Sequence, residues 1–158
     1  MRALLQRVIE SRVVVDGQVV GEIGPGWLVL LGIGHGDTLE IARWIAEKCV
    51  HLRGFNDDAG KMNRSIQDIG GSMLVVSQFT LYGDCNRGRR PGFDQAAPPE
   101  IAKSLYLAFC DQIREHGVRV EQGIFQADMK VSLINDGPVT LLVEREATPS
   151  IAEPMVAP

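Results

Sequence analysis

Apolar and polar positions along this chain change period several times, and each change marks an element. Residues 1–9 alternate with the period of two of a half-buried strand. Arg12–Val20 reads as strand, Asp16-Gly17 turn, strand. After Gly24-Pro25-Gly26, the run Trp27–Ile33 is almost wholly apolar, as a central strand covered on both faces requires. Residues 38–52 switch to the helical period. Ala42, Ile45, Cys49 and Leu52 share one face, Glu40, Arg43 and Glu47 point elsewhere, and Asp37 or Thr38 is the expected N-cap. Residues 54–71 are punctuated by Gly54, Gly60 and Gly70-Gly71 and predict a loop. Ser72–Leu81 predicts a second apolar strand with a polar end, followed by a Gly-, Asp- and Pro-rich loop to Ala97. A second helix is expected over 99–116, with proline in its first turn, Ala102, Leu105, Phe109 and Ile113 on its apolar face, and Gly117 past its end. Residues 119–145 predict three strands, broken near Gly123 and at Asp136-Gly137.

Two helices and about seven strands describe one α/β domain over residues 1–146, mainly β, with both helices packed on a sheet. So many strands exceed what two helices cover. A second β layer, or a dimer partner, is expected on the uncovered face. Residues 147–158 hold three prolines and little periodicity, which predicts a loose tail.

Composition narrows the function classes. At 158 residues one domain is the default. No apolar run approaches membrane-spanning length, and Met1–Val8 lacks the apolar core of a signal peptide, so a cytoplasmic protein without membrane contact is expected. A net charge of −4 argues against a generic polyanion binder and confines nucleic-acid contact to local patches. Lys61, Arg64 and Arg87-Gly-Arg-Arg90 are such patches, though short basic clusters are commonly just solvated loops. Cys49, Cys85 and Cys110 are odd in number and widely spaced, and His35, His51 and His116 do not cluster with them in sequence. Neither a disulfide framework nor a zinc pattern follows, and no metal or cofactor is expected.

Three stretches carry candidate chemistry. Gly32-Ile-Gly-His-Gly36 sits between strand and helix, but its spacing is not that of a dinucleotide loop and no Walker lysine follows, so a plain strand-to-helix turn is the better reading. Ser77-Gln78-Phe79-Thr80 carries hydroxyls and an amide to a strand end. A hydroxyl nucleophile needs a base, no G-x-S-x-G elbow surrounds Ser77, and strand-end hydrogen bonding is the better reading of the tetrad alone. Asn135-Asp136-Gly137-Pro138 separates two β-branched runs and reads as a hairpin turn. Pro138, which gives no N–H to a ladder, leaves a functional reading open.

Taken together, these stretches closely resemble the D-aminoacyl-tRNA deacylases, almost to Glu144. The resemblance rests on Met1-Arg-Ala-Leu-Leu-Gln-Arg-Val8, Ser77-Gln-Phe-Thr-Leu81, Gly88-Arg-Arg-Pro91, Phe125-Gln-Ala-Asp-Met-Lys-Val-Ser-Leu133 and Asn135-Asp-Gly-Pro-Val-Thr140. The Ser-Gln-x-Thr and Asn-x-Gly-Pro-Val-Thr motifs are specific as a pair, in that order and separation. The resemblance implies a metal-free homodimer that hydrolyses the ester of D-aminoacyl-tRNA, and of glycyl-tRNA mischarged on alanine tRNA, at the subunit interface. It implies Ser77, Gln78, Phe79 and Thr80 as the catalytic segment, with the Phe79 N–H as oxyanion donor helped by Gln78. Attack is implied either by Thr80 or by water assisted by the terminal 2′-hydroxyl, and the lack of a base beside Thr80 favours the second. Gly137 and Pro138, joined by a cis bond in the family, are implied to enter the partner's pocket, meet the α-amino group and turn away L side chains. Arg7 matches the arginine that orients this segment, its alternative role being an ordinary strand-surface charge. Phe125 and Met129 are implied to form the adenosine wall. In the Phe-x-Ala-Asp-Met stretch the family commonly has glycine where this chain has Gln126, and the tail after Glu146 runs past the usual family end. A non-catalytic RNA- or nucleotide-binding module is the competing reading.

Overall fold

The computed structural model describes residues 1–86 and 88–147. Arg87 and the expected tail from 148 onward lie outside the described residues.

The first two expected strand segments are one strand. β1 runs from Arg2 to Val15 and turns at Asp16-Gly17, with Gly17 at φ +77°, into antiparallel β2 (Gln18–Ile23). β3 (Gly26–Gly32) pairs with the first half of β1 as the buried central strand that its apolar run requires. α1 (Leu39–His51) begins at Thr38, whose Oγ accepts the Ile41 N–H at 3.3 Å. The stretch 54–71 is not all loop, because β4 (Phe55–Asn56) and β5 (Met62–Arg64) form a small hairpin. β6 (Ser72–Ser77) pairs parallel with β3, so Leu31 and Ser77 lie side by side at their carboxyl ends. β6 stops at Ser77, four residues short of expectation, and the chain tightens into a 3₁₀ turn over Phe79–Tyr82. α2 (Pro99–Glu115) follows, with Gly117 left-handed just beyond it at φ +77°. β7 (Arg119–Gln122) extends the sheet parallel to β6, and β8 (Lys130–Glu144) returns along the whole of β1.

Two apolar cores explain why the strands outnumber what the helices cover. Ala3, Leu5, Trp27, Val29, Leu31, Met73 and Val75 point to the helical side and pack on Ile45, Cys49, Phe109 and Ile113. The alternate residues of the same strands, Leu28, Leu74 and Val76, pack on Val8, Val13 and Ile23, with Val131 and Leu133 alongside. The long β1 therefore serves both cores. Its pairing with β8 is irregular between Gln6 and Glu10, and beyond that point its second half, with β2 and the start of β8, lies over the other face of β3 and β6. The result is an α/β/β arrangement whose mixed sheet nearly closes on itself. Burial pushes the Cys49 and Cys110 thiols up to about 12, which makes them inert core residues. Among the described residues no helix is long and apolar enough to cross a membrane.

Candidate active site

The sequence reads Asp136-Gly137 as a hairpin turn, and the structure overturns this. β8 does not reverse there. Gln6 pairs with Thr140 and Val8 with Asn135, so the four residues Asp136 to Val139 stand opposite the single residue Arg7. They form a wide bulge inside one continuous strand, and the three strands expected over 119–145 reduce to β7 and β8. The apolar runs on either side pair with the same neighbour, and that pairing outweighs local turn propensity.

Side chains hold the bulge closed. The Asn135 amide spans it, accepting the Val139 N–H at 2.7 Å and donating to the Val139 carbonyl at 3.1 Å and to Thr140 Oγ1 at 3.2 Å. Arg7 is buried rather than a surface charge. Its guanidinium donates to the Asp136 carbonyl at 3.0 Å, the Gly54 carbonyl at 2.9 Å and Asn56 Oδ1 at 3.2 Å, and lies 3.3 Å from the Asp136 carboxylate. Gly137 has φ +134°, and a Cβ there would meet Val139 Cγ2 at 2.7 Å, so the position needs glycine. The Gly137–Pro138 bond is cis, and both residues are exposed.

A second constellation lies at the carboxyl ends of β3 and β6, where α/β sheets commonly take ligands. A cleft of about 680 Å³ opens there, lined by Leu31, Val76, Ser77, Gln78 and Phe79 together with Phe125, Gln126 and Met129. The 3₁₀ turn presents the backbone at its mouth. Phe79 and Thr80 are its first two residues, so their N–H groups have no partner within it. The neighbouring amides are used. Gln78 N–H donates to the Leu31 carbonyl at 2.8 Å, and Gly83 N–H to that of Thr80 at 2.9 Å. Thr80 is exposed, and its hydroxyl accepts a hydrogen bond from the Gln78 side-chain amide. None of the lining residues carries an ionisable side chain. Five of the expected site residues thus share one cleft, with Thr80 at its edge, while Arg7, Asn135, Gly137 and Pro138 gather at the bulge and none of them lines it.

The loop Gly32–Gly36 is the strand-to-helix turn. Asp37 accepts the Gly34 N–H at 2.7 Å and holds the Met1 ammonium at 2.6 Å, and His35 N–H donates to the Gln95 carbonyl at 3.0 Å. These amides are committed to the protein and leave no phosphate cradle.

The chain matches the family described as D-Tyr-tRNA(Tyr) deacylase over residues 4–144. It belongs to that family. A D-aminoacyl-tRNA deacylase of Heliobacterium modesticaldum is 60% identical over 144 residues, covering 91% of this chain and 96% of the relative. One from Geobacter sulfurreducens is 58% identical over 150 residues, covering 95% and 99%. A solved structure, the c-Myc DNA Unwinding Element Binding Protein, is similar with TM-score 0.87 and 39% identity over 93% of this chain and all of that one.

Within this deacylase fold the sequence reading missed part of the cleft wall. Pro98 and Pro99 read only as a helix start, yet with Phe93, Ala96, Ala97 and Ala102 they line the cleft. Nothing in their spacing signals it, because the 83–97 loop reaches its place through single backbone bridges, Gly34 with Ala96 and Asp84 with Gly92.

Proposed function

We propose that this chain hydrolyses the ester of D-aminoacyl-tRNA, releasing D-amino acid and tRNA, and spares L-aminoacyl esters. The observation that carries the reading is the cleft of a deacylase-family chain with the open amides of Phe79 and Thr80 at its mouth and no ionisable side chain in its lining. The ester carbonyl sits against the 3₁₀ turn. Water adds to it, the oxyanion accepts the Phe79 N–H, and the bond to the ribose 3′-oxygen breaks as that oxygen takes a proton. The terminal ribose 2′-hydroxyl assists the water. Phe125 and Met129 hold the adenosine, and exposed Arg89, Arg90 and Lys61 meet phosphates without reading sequence.

The chirality filter comes from a second copy of the chain. The partner subunit's Gly137 and the partner subunit's Pro138 enter the cleft, and their carbonyls accept the substrate's α-amino group. An L side chain then meets the wall, whereas glycine, having none, passes, so glycyl-tRNA is also a substrate. Three observations support this homodimer. The bulge is exposed and lies away from its own cleft. Among the described residues β8 pairs only with β1, and so leaves one edge open along its length on either side of the bulge. Ile9, Ile134 and Leu142 stand about half exposed along that pair, at 52%, 50% and 51%.

The test is deacylation of matched D-tyrosyl- and L-tyrosyl-tRNA with a chelator present. The D ester is expected to disappear while the L ester persists. Persistence of both, with glycyl-tRNA also intact, overturns the reading in favour of a binding module. Thr80→Ala is expected to lower kcat less than about tenfold, since a hydroxyl without a base is not an activated nucleophile. A loss beyond about a thousandfold at unchanged KM makes Thr80 the nucleophile instead.

A further inference from the structure

Gln126 is strained where it need not be. The Ala127 N–H donates to the Ile124 carbonyl at 3.1 Å, closing a four-residue turn with Gln126 in its third position. Gln126 has φ +65°, the left-handed conformation which that position of a type II turn requires and which glycine adopts without penalty. Apart from Asp16, it is the one non-glycine residue among the described residues with positive φ. Asp16 sits in a hairpin turn, where aspartate is common. Glutamine has no such local reason, and strained residues of this kind gather at ligand sites.

Its surroundings supply a reason. The cleft lining is apolar except for three side chains, Ser77, Gln78 and Gln126. The first two belong to the segment that meets the ester. Gln126 lines the cleft with Phe125 and Met129, and the Phe125 ring packs against Tyr106, ring centroids 5.9 Å apart. An exposed amide that shares the cleft lining with an aromatic ring and a thioether is equipped to read a flat heterocycle that offers a donor beside an acceptor.

We propose that Gln126 is a substrate-binding residue that hydrogen-bonds the terminal adenine of the tRNA. The proposal rests on the deacylase reading and on the adenosine lying against Phe125 and Met129. The side-chain carbonyl accepts from the adenine 6-amino group while the amide N–H donates to a neighbouring ring nitrogen, the paired geometry by which glutamine recognises adenine. The contact is the same before and during ester cleavage, so it acts on KM and leaves kcat unchanged.

The experiment combines Gln126→Gly with D-tyrosyl-tRNA whose terminal adenine is replaced by purine, which lacks the 6-amino group. The unchanged protein is expected to lose about tenfold in KM on the purine substrate. Gln126→Gly is expected to lose the same factor on adenine, nothing further on purine, and to melt no lower than the unchanged chain, because glycine relieves the left-handed strain. An unchanged KM for Gln126→Gly overturns the proposal. So does an equal purine penalty in both proteins, which leaves the adenosine wall standing but gives base reading to another group. Kd for tRNA carrying D-tyrosine in a stable 3′-amide linkage makes the same comparison without hydrolysis. Failure of the deacylase reading therefore shows as an inert D ester, while failure of this contact shows in the binding ratios.

Discussion

Phe79→Pro is expected to lower kcat on D-aminoacyl-tRNA by about 10²–10³-fold, while Phe79→Ala keeps most of kcat. The two variants remove different things. Alanine deletes the ring, which is 55% exposed and meets Phe93 edge-on with centroids 5.0 Å apart, but keeps the backbone N–H. Proline deletes the ring and the N–H together. The backbone tolerates proline here, since Phe79 opens the 3₁₀ turn and Gln78 before it lies outside the helical region, at φ −142° and ψ 80°. The bonds that anchor the segment remain, namely Gln78 N–H to the Leu31 carbonyl at 2.8 Å and Leu81 N–H to the Gln78 carbonyl at 3.3 Å. If the N–H stabilises the oxyanion, only proline lowers kcat this far, and both variants retain similar KM. Equal kcat for the two variants assigns the oxyanion to another donor. Far-ultraviolet circular dichroism and melting temperature check that each variant is folded.

How much of this was legible in the sequence depends on how local each signal is. Both helices are, because their caps and apolar faces are set within a few turns: Thr38 caps α1, and Gly117 closes α2. The central strands are too, since Trp27–Leu31 and Met73–Val76 are apolar at every position and admit one location. The early end of β6 was not, because the 3₁₀ turn begins where Gln78 pairs with Leu31 of another strand. The bulge was the plainest miss. Asp136-Gly137 is a strong turn signal by itself, and only the register of both flanks against β1, with Arg7 buried between, converts it into an excursion of one strand. The cleft's polar segment could be named from motif resemblance, but its apolar wall could not. Phe93, Ala96 and Ala97 come from an irregular loop whose path depends on distant partners.

Arg7→Ala is expected to cost about 3 kcal/mol of stability and to reduce the preference for D over L esters. The guanidinium is 5% exposed as a residue and serves three acceptors on two separate segments, the Asp136 carbonyl in the bulge and Gly54 and Asn56 before and within β4. Truncation leaves the buried Gly54 carbonyl without its donor, at a cost of about 1–3 kcal/mol, and removes two part-buried bonds besides. It also unties the bulge from the Gly54 segment, because the Asn135 bonds close the bulge on itself without reaching that segment. Lysine is no substitute. Its ammonium is a point donor on a flexible stem and cannot hold the planar spread of directions that these acceptors define. Arg7→Lys is therefore expected to recover part of the stability and little of the D/L ratio. Denaturant melts give the first quantity, and paired deacylation of D- and L-tyrosyl-tRNA gives the second. A D/L ratio unchanged in Arg7→Ala, measured at a temperature where the variant is folded, makes Arg7 a structural tie alone. A fall in the ratio in both variants, out of proportion to their stability, makes it the residue that aims the bulge.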